Sequence, residues 1–170
     1  MKDIIEYSPA ILFAATLFLL YTSYSKPAST NTYLYVYVIG YAIQLLIGHA
    51  LKILIRQPRP SEDVQKFNAA INMNKHIEFD RFGMPSEHAL STFFSTVFIH
   101  FALKNNKITF IYAIISIATL YHRWETNKHT IIQLCAGGLV GAILGYACYM
   151  YAFKNIRGSL KMRPDDNGPL

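Results

Sequence analysis

Apolar residues in this chain come in long blocks, not in strict alternation or in one-sided stripes. Five blocks, at residues 7–24, 33–55, 85–103, 108–121 and 130–153, predict membrane-spanning helices. Tyr7, Tyr24, Tyr33, Tyr121, Trp124 and Tyr151 stand near block ends, where amphipathic rings meet headgroups. The links are short except for residues 56–84, a polar stretch with Pro58, Pro60, Gly83 and mixed charge that could hold a lid. The expected architecture is all-α: a multi-pass transmembrane helical bundle of about five spans, with one longer polar loop between spans 2 and 3. Residues 1–153 would form one domain, and 154–170, with Lys154, Arg157, Lys161 and Arg163, a basic disordered tail.

Composition strengthens the membrane reading, since 52% of the 170 residues are apolar and only 15% charged. The 16 Lys and Arg against 10 Asp and Glu leave a net charge of +6, which suits an anionic partner such as phosphate headgroups. Nucleic acid is not an expected partner, because the basic residues interrupt apolar runs and build no basic face with interleaved aromatics. Cys135 and Cys148 share one apolar run, which supports neither a disulfide framework nor a cysteine zinc site and suggests packing residues. Lys2, Asp3 and Glu6 precede the first block, and no small-residue cleavage site follows, so a retained first span is expected.

Polar residues at the ends of spanning helices are costly, so their positions carry information. Three clusters stand out: Lys52 with Arg56 and Arg59-Pro60, then Pro85-Ser86-Glu87-His88, then Arg123 with His129 and Gln133. Each span reverses the side on which the chain emerges, so Lys52, His88, Arg123 and His129 all fall on one face of the membrane. Phosphoryl transfer suits them, because its catalysis is mainly positioning and neutralisation of charge on phosphoryl oxygens. Arg59 and Arg123 can each offer a planar fork to two oxygens, Lys52 a compact charge, and Ser86 a hydroxyl at a helix start. Gln133 lies one turn after His129, and its carbonyl could accept from Nδ1–H, freeing Nε2 to attack phosphorus. His88 would protonate the leaving oxygen and then assist water. No metal or other cofactor is expected, the arginines and lysine serving in place of a cation.

In this order, KILIRQPRP, PSEH and HRWETNKHTIIQ resemble the signature motifs of the type 2 phosphatidic acid phosphatase superfamily, which shares its catalytic core with vanadium haloperoxidases. The resemblance implies phosphate-binding Lys52, Arg59, Ser86 and Arg123, an acid His88, a nucleophile His129 and metal-independent hydrolysis. It also implies six spans, one more than the pattern supplies here. Three positions depart from the family: Gln133 replaces Asp, His122 replaces Ser, and Glu87 replaces Gly. A carboxylate at Glu87 is electrostatically awkward unless it points away, pairs with an arginine or binds substrate indirectly; Glu87 and Arg56 are the candidate modulators. QPRP, FGMPSEHAL and KHTIIQLCAGGLVG look like the dolichyl diphosphatase branch, whereas the acidic residue before His88 is similar to bacterial undecaprenyl-diphosphate phosphatases.

The expected substrate is therefore a polyprenyl diphosphate, cleaved to the monophosphate. The alternatives are phosphatidate or another phospholipid, and a catalytically weak protein that binds lipid phosphate. His49, His76, His100 and His122 read as structural or surface residues, the hydroxyls Ser91, Thr92, Ser95 and Thr96 as helix-packing glue, and Gly137, Gly141 and Gly145 as an intramolecular contact stripe. The charge balance of the loops puts the C-terminus in the cytosol and the site on the far face. That face would be the lumen of the endoplasmic reticulum in a eukaryotic or viral setting, or the periplasm across a bacterial inner membrane.

Overall fold

The computed structural model describes residues 5–23 and 27–161, with side chains described over 5–23 and 31–156. The described residues contain no strand. They form α1 (Ser8–Ser23), α2 (Pro27–Ile55), α3 (Val64–Asn72), a 3-10 turn (Phe79–Arg81), α4 (Glu87–Leu103), α5 (Asn106–Glu125) and α6 (Ile131–Lys161). Asp63 caps α3 by accepting from the N–H groups of Gln65 and Lys66, and Asn105 caps α5 in the same way. Lys104, in the left-handed region at φ 52°, ends α4 and lets α5 begin at once. α6 continues as helix beyond Phe153 to Lys161; the rest of the expected disordered tail lies outside the described residues.

α4 is the central helix, packed by α1, α2, α5 and α6. Its Phe94 and Phe98 are fully buried and meet the Tyr37 ring at centroid distances of 5.7 and 5.0 Å. The interior is also rich in hydroxyls. Tyr37 bonds Ser95 at 2.8 Å, the Gln44 amide donates to Ser91 at 3.0 Å, and Thr96 meets Ser116 at 2.9 Å, so the α4 hydroxyls act as the expected packing glue.

The outside is apolar, with Phe18, Leu46, Phe110, Ile132 and Leu139 all exposed. Hydroxyls paired between helices inside and large apolar side chains outside is the distribution a bilayer favours. Two helical segments, Asn31–Ile55 and Ile131–Ile156, are long and apolar enough to cross a membrane, and Ser8–Ser23 is apolar but shorter. The molecule is thus suited to membrane association.

The closest helix pair is α4 with α6, and the glycine stripe makes it. A methyl group on Gly137 would strike the Ser86 carbonyl, on Gly141 the Leu90 carbonyl, and on Gly145 the Phe94 carbonyl. The stripe is therefore an intramolecular seam, with one glycine for each turn of α4.

Two expectations need correction. The 56–84 segment is not only loop, since α3 and the 3-10 turn fold within it around Phe67 and Phe82, whose rings meet edge to face at 5.7 Å. Cys135 is exposed and not packed inside; Cys148 alone fits the packing reading, lying where a side chain on Gly40 would have to go.

Candidate active site

The long connection is tied at its neck. Pro58 and Phe82 form an isolated antiparallel bridge, the Arg59 N–H donates to the Arg81 carbonyl at 3.1 Å, and the Gly83 N–H to the Gln57 carbonyl at 2.7 Å. Arg56, at φ 50°, turns the chain out of α2 into this neck. The tie brings the Arg59 backbone beside Gly83, three residues before Ser86 at the start of α4. The Ser86 N–H in turn donates to the Gln133 carbonyl at 3.2 Å, locking α4 to α6.

The three sequence clusters converge here. Lys52, in the last turn of α2, is buried, with Nζ 3.3 Å from Glu87 Oε1 and 4.8 Å from the centre of the Phe79 ring. Arg123, in the last turn of α5, is buried and points its Nη2 at His88, 2.8 Å from Nδ1. Both the Lys128 and His129 N–H groups donate to the Arg123 carbonyl, at 3.1 and 3.2 Å, so the link from α5 to α6 curls back and buries His129. Ser86 is buried at the N-cap of α4, yet its hydroxyl makes no capping bond. Arg56 stands apart: it is exposed, and its Nε donates to the Ile53 carbonyl at 3.1 Å.

His129 donates from Nδ1–H to the Gly83 carbonyl at 2.9 Å, with the Gln133 side-chain oxygen a second acceptor at 3.3 Å. The expected Gln133 contact is present, but the shorter partner is a backbone carbonyl. With Nδ1 carrying the proton, Nε2 keeps its lone pair. Burial, then the Arg59 charge, push His129 down to about 4, against the pull of its two acceptors, so the ring is neutral at physiological pH. Three buried donors around the cluster have no partner among the described residues: Ser86 Oγ, Arg59 Nε and Arg123 Nε. Such groups are costly when left unpaired, and three phosphoryl oxygens would satisfy them.

Glu87 does not pair with an arginine. It joins Lys52 and His49, the latter at 3.2 Å, and His49 stacks on Phe79 with ring centres 4.4 Å apart. His49, read from sequence as structural or surface, is thus a neighbour of the site. His122 is buried and His76 exposed, while His100 meets Thr109 at 3.1 Å, all three within their expected roles.

Sequence reading missed Glu6, Gly83 and Gln57. Glu6 Oε1 accepts from Arg123 Nη1 at 3.1 Å, and its backbone carbonyl lies 3.2 Å from His88 Nε2. Its signal was an acidic residue just before the first apolar block, on the side of the membrane assigned to the motifs. A cleft of about 350 Å³ opens beside His129 between Pro60, Trp124, Asn127 and Ile131. A second cleft, of about 270 Å³ near Arg56 and Lys75, contains none of the converging residues.

Buried cations, unpaired donors and a neutral histidine thus lie together at one end of an apolar-faced helical bundle suited to membrane association. Residues 32–157 match the PAP2 superfamily, and the chain belongs to that family. The family is one of phosphatases and related hydrolases that act on lipid phosphates. No curated protein and no solved structure matches the chain.

Proposed function

We propose that the chain is a multi-pass membrane phosphatase that hydrolyses a polyprenyl diphosphate to the monophosphate through a phosphohistidine on His129. The observation that carries this reading is the set of unpartnered donors, Ser86 Oγ, Arg59 Nε and Arg123 Nε, beside a histidine whose Nδ1–H is engaged and whose Nε2 is free. Lys52 and the two arginines neutralise the phosphoryl oxygens. His129 Nε2 attacks the terminal phosphorus as its bond to the bridging oxygen breaks, and His88 gives that oxygen a proton. Water then attacks the phosphohistidine with His88 taking its proton, the P–N bond breaks, and inorganic phosphate leaves. The amide at Gln133 supports the polyprenyl branch, and Trp124, Ile131 and Ile132 along the cleft offer apolar surface to a lipid tail. Recycling of such carriers after glycan transfer fits a lumenal or periplasmic site in a five-span protein.

Phosphatidate is the second reading, favoured by the Glu87 hold on Lys52, which reduces the positive charge available to a diphosphate. A weak lipid-phosphate binder is a third, favoured by two carboxylates, Glu6 and Glu87, on the site's cations.

Detergent-purified protein with a chelator should release phosphate from polyprenyl diphosphate faster than from phosphatidate, and His129→Ala should lower release by about 10³-fold or more. Because His129 is neutral down to about 4, labelled phosphoenzyme should still form at pH 5. Undiminished release in His129→Ala excludes the mechanism; tight phosphate binding without turnover of any substrate supports the binding protein.

A further inference from the structure

Gln133 is fully buried, and its side-chain amide uses all of its hydrogen-bonding capacity. Its oxygen accepts from His129 Nδ1–H at 3.3 Å and from the Thr130 N–H at 3.2 Å. Its nitrogen donates to the Gln57 side-chain oxygen at 3.2 Å and to the Pro58 carbonyl at 3.0 Å. Gln57 also reaches the histidine by a second route: its backbone carbonyl accepts the Gly83 N–H at 2.7 Å, and the Gly83 carbonyl accepts from His129 at 2.9 Å. Gly83 leaves room for this arrangement, since a side chain there would begin 2.6 Å from both polar atoms of the Gln133 amide.

We infer that Gln57 is a positioning residue that fixes the nucleophile's ring through Gln133 and Gly83, and that the Pro58 carbonyl beside it requires an amide at position 133. The inference rests on the phosphohistidine reading. A carboxylate in place of the amide could still accept from His129, but it would point a charged oxygen at the Pro58 carbonyl with no hydrogen between them, and Gln57 would have to invert its amide to meet it. The departure from the family's Asp is thus a matched pair of residues across the neck. On this account the neutral partner is not a weakened version of a charged one.

The isosteric Gln133→Glu separates these accounts, because a carboxylate that simply strengthened the orienting bond would raise turnover. The expected result is a loss in kcat of about 10- to 100-fold at pH 7, the range seen when partners that orient histidines are removed. Gln57→Leu should fall within the same range. Gln57→Lys combined with Gln133→Glu supplies a donor to the new carboxylate and should recover most of the loss. Turnover of Gln133→Glu relative to the unaltered protein should also rise as pH falls, because a protonated carboxyl regains a hydrogen for Pro58. The charged and titratable groups facing that position are His129 and, beyond it, Arg59 and Arg123. Competitive inhibition by inorganic phosphate, unchanged in each variant, verifies an intact phosphate cradle where kcat falls. Turnover lost in His129→Ala but kept at pH 7 in both Gln133→Glu and Gln57→Leu overturns the inference alone. Turnover kept in His129→Ala removes the phosphohistidine reading and this inference with it.

Discussion

Arg123 divides its guanidinium between two neighbours, His88 through Nη2 and Glu6 through Nη1. The bond and the charge of Arg123 hold the Glu6 carboxyl below the usual carboxylate range. Glu6 thus lies where an anionic substrate would compete for the same arginine, and its backbone carbonyl takes the His88 contact that a leaving oxygen would need. The ion pair is half exposed on the Glu6 side, so its hold on Arg123 is modest. Glu6→Gln is expected to lower KM by about two- to fivefold, the scale of a partly exposed ion pair, with little change in kcat. Steady-state kinetics check this, and a raised KM would mean that Glu6 holds Arg123 in place for substrate. At this scale the sequence revealed the residues with motif spacing and missed Glu6, Gln57 and Gly83, which reach the site from distant segments without a motif of their own. Gly83 and Gln57 contribute carbonyls, which no residue type advertises. Gln133 was legible as a partner of His129, but its two donor contacts cross to a neck far away in sequence.

At the scale of elements, apolar blocks marked the long helices because a span needs little beyond length and apolarity. α3 stayed hidden for the converse reason: in a nine-residue helix, Phe67 is the one buried residue, and the rest reads as polar loop. The start of α6 was readable in finer detail than the block suggested. Thr130 and Gln133 form a capping box, the Gln133 N–H donating to the Thr130 hydroxyl at 3.3 Å and the Thr130 N–H to the Gln133 side chain. The α4–α6 seam yields the clearest prediction, because a side chain on Gly141 meets backbone, which cannot rotate away. Gly141→Ala should destabilise the protein by about 1–3 kcal/mol, the usual cost of overpacking, and lower its thermal midpoint in detergent. Gly138→Ala is the control, since a methyl there meets only the Phe93 ring at ordinary contact distance, 3.5 Å.

For the whole molecule, the residues of the three clusters gather at one end of the helical bundle. The proposed five spans would put residue 6 on the same face as Lys52, His88, Arg123 and His129, the end of the bundle where Glu6 touches Arg123. The same proposal would put the chain beyond α6 on the opposite face. In sealed, oriented vesicles, protease added on one side should cut the 62–78 segment or remove a C-terminal tag, but not both. Cleavage of both from one side would exclude an odd number of crossings between them. The apolar exterior was legible from composition, whereas the paired hydroxyl interior was not, because a serine in a spanning block does not reveal its partner.

The neck at Gln57–Arg59 and Arg81–Gly83 closes the base of the segment beyond it, from which Phe79 reaches back to pack on Lys52 and His49. Everything between those two rungs hangs from a closed base, so its length is a matter of loop entropy, which grows by only about 0.6 kcal/mol for each doubling. An insertion between α3 and the 3-10 turn should therefore cost little stability and leave the two rungs in register.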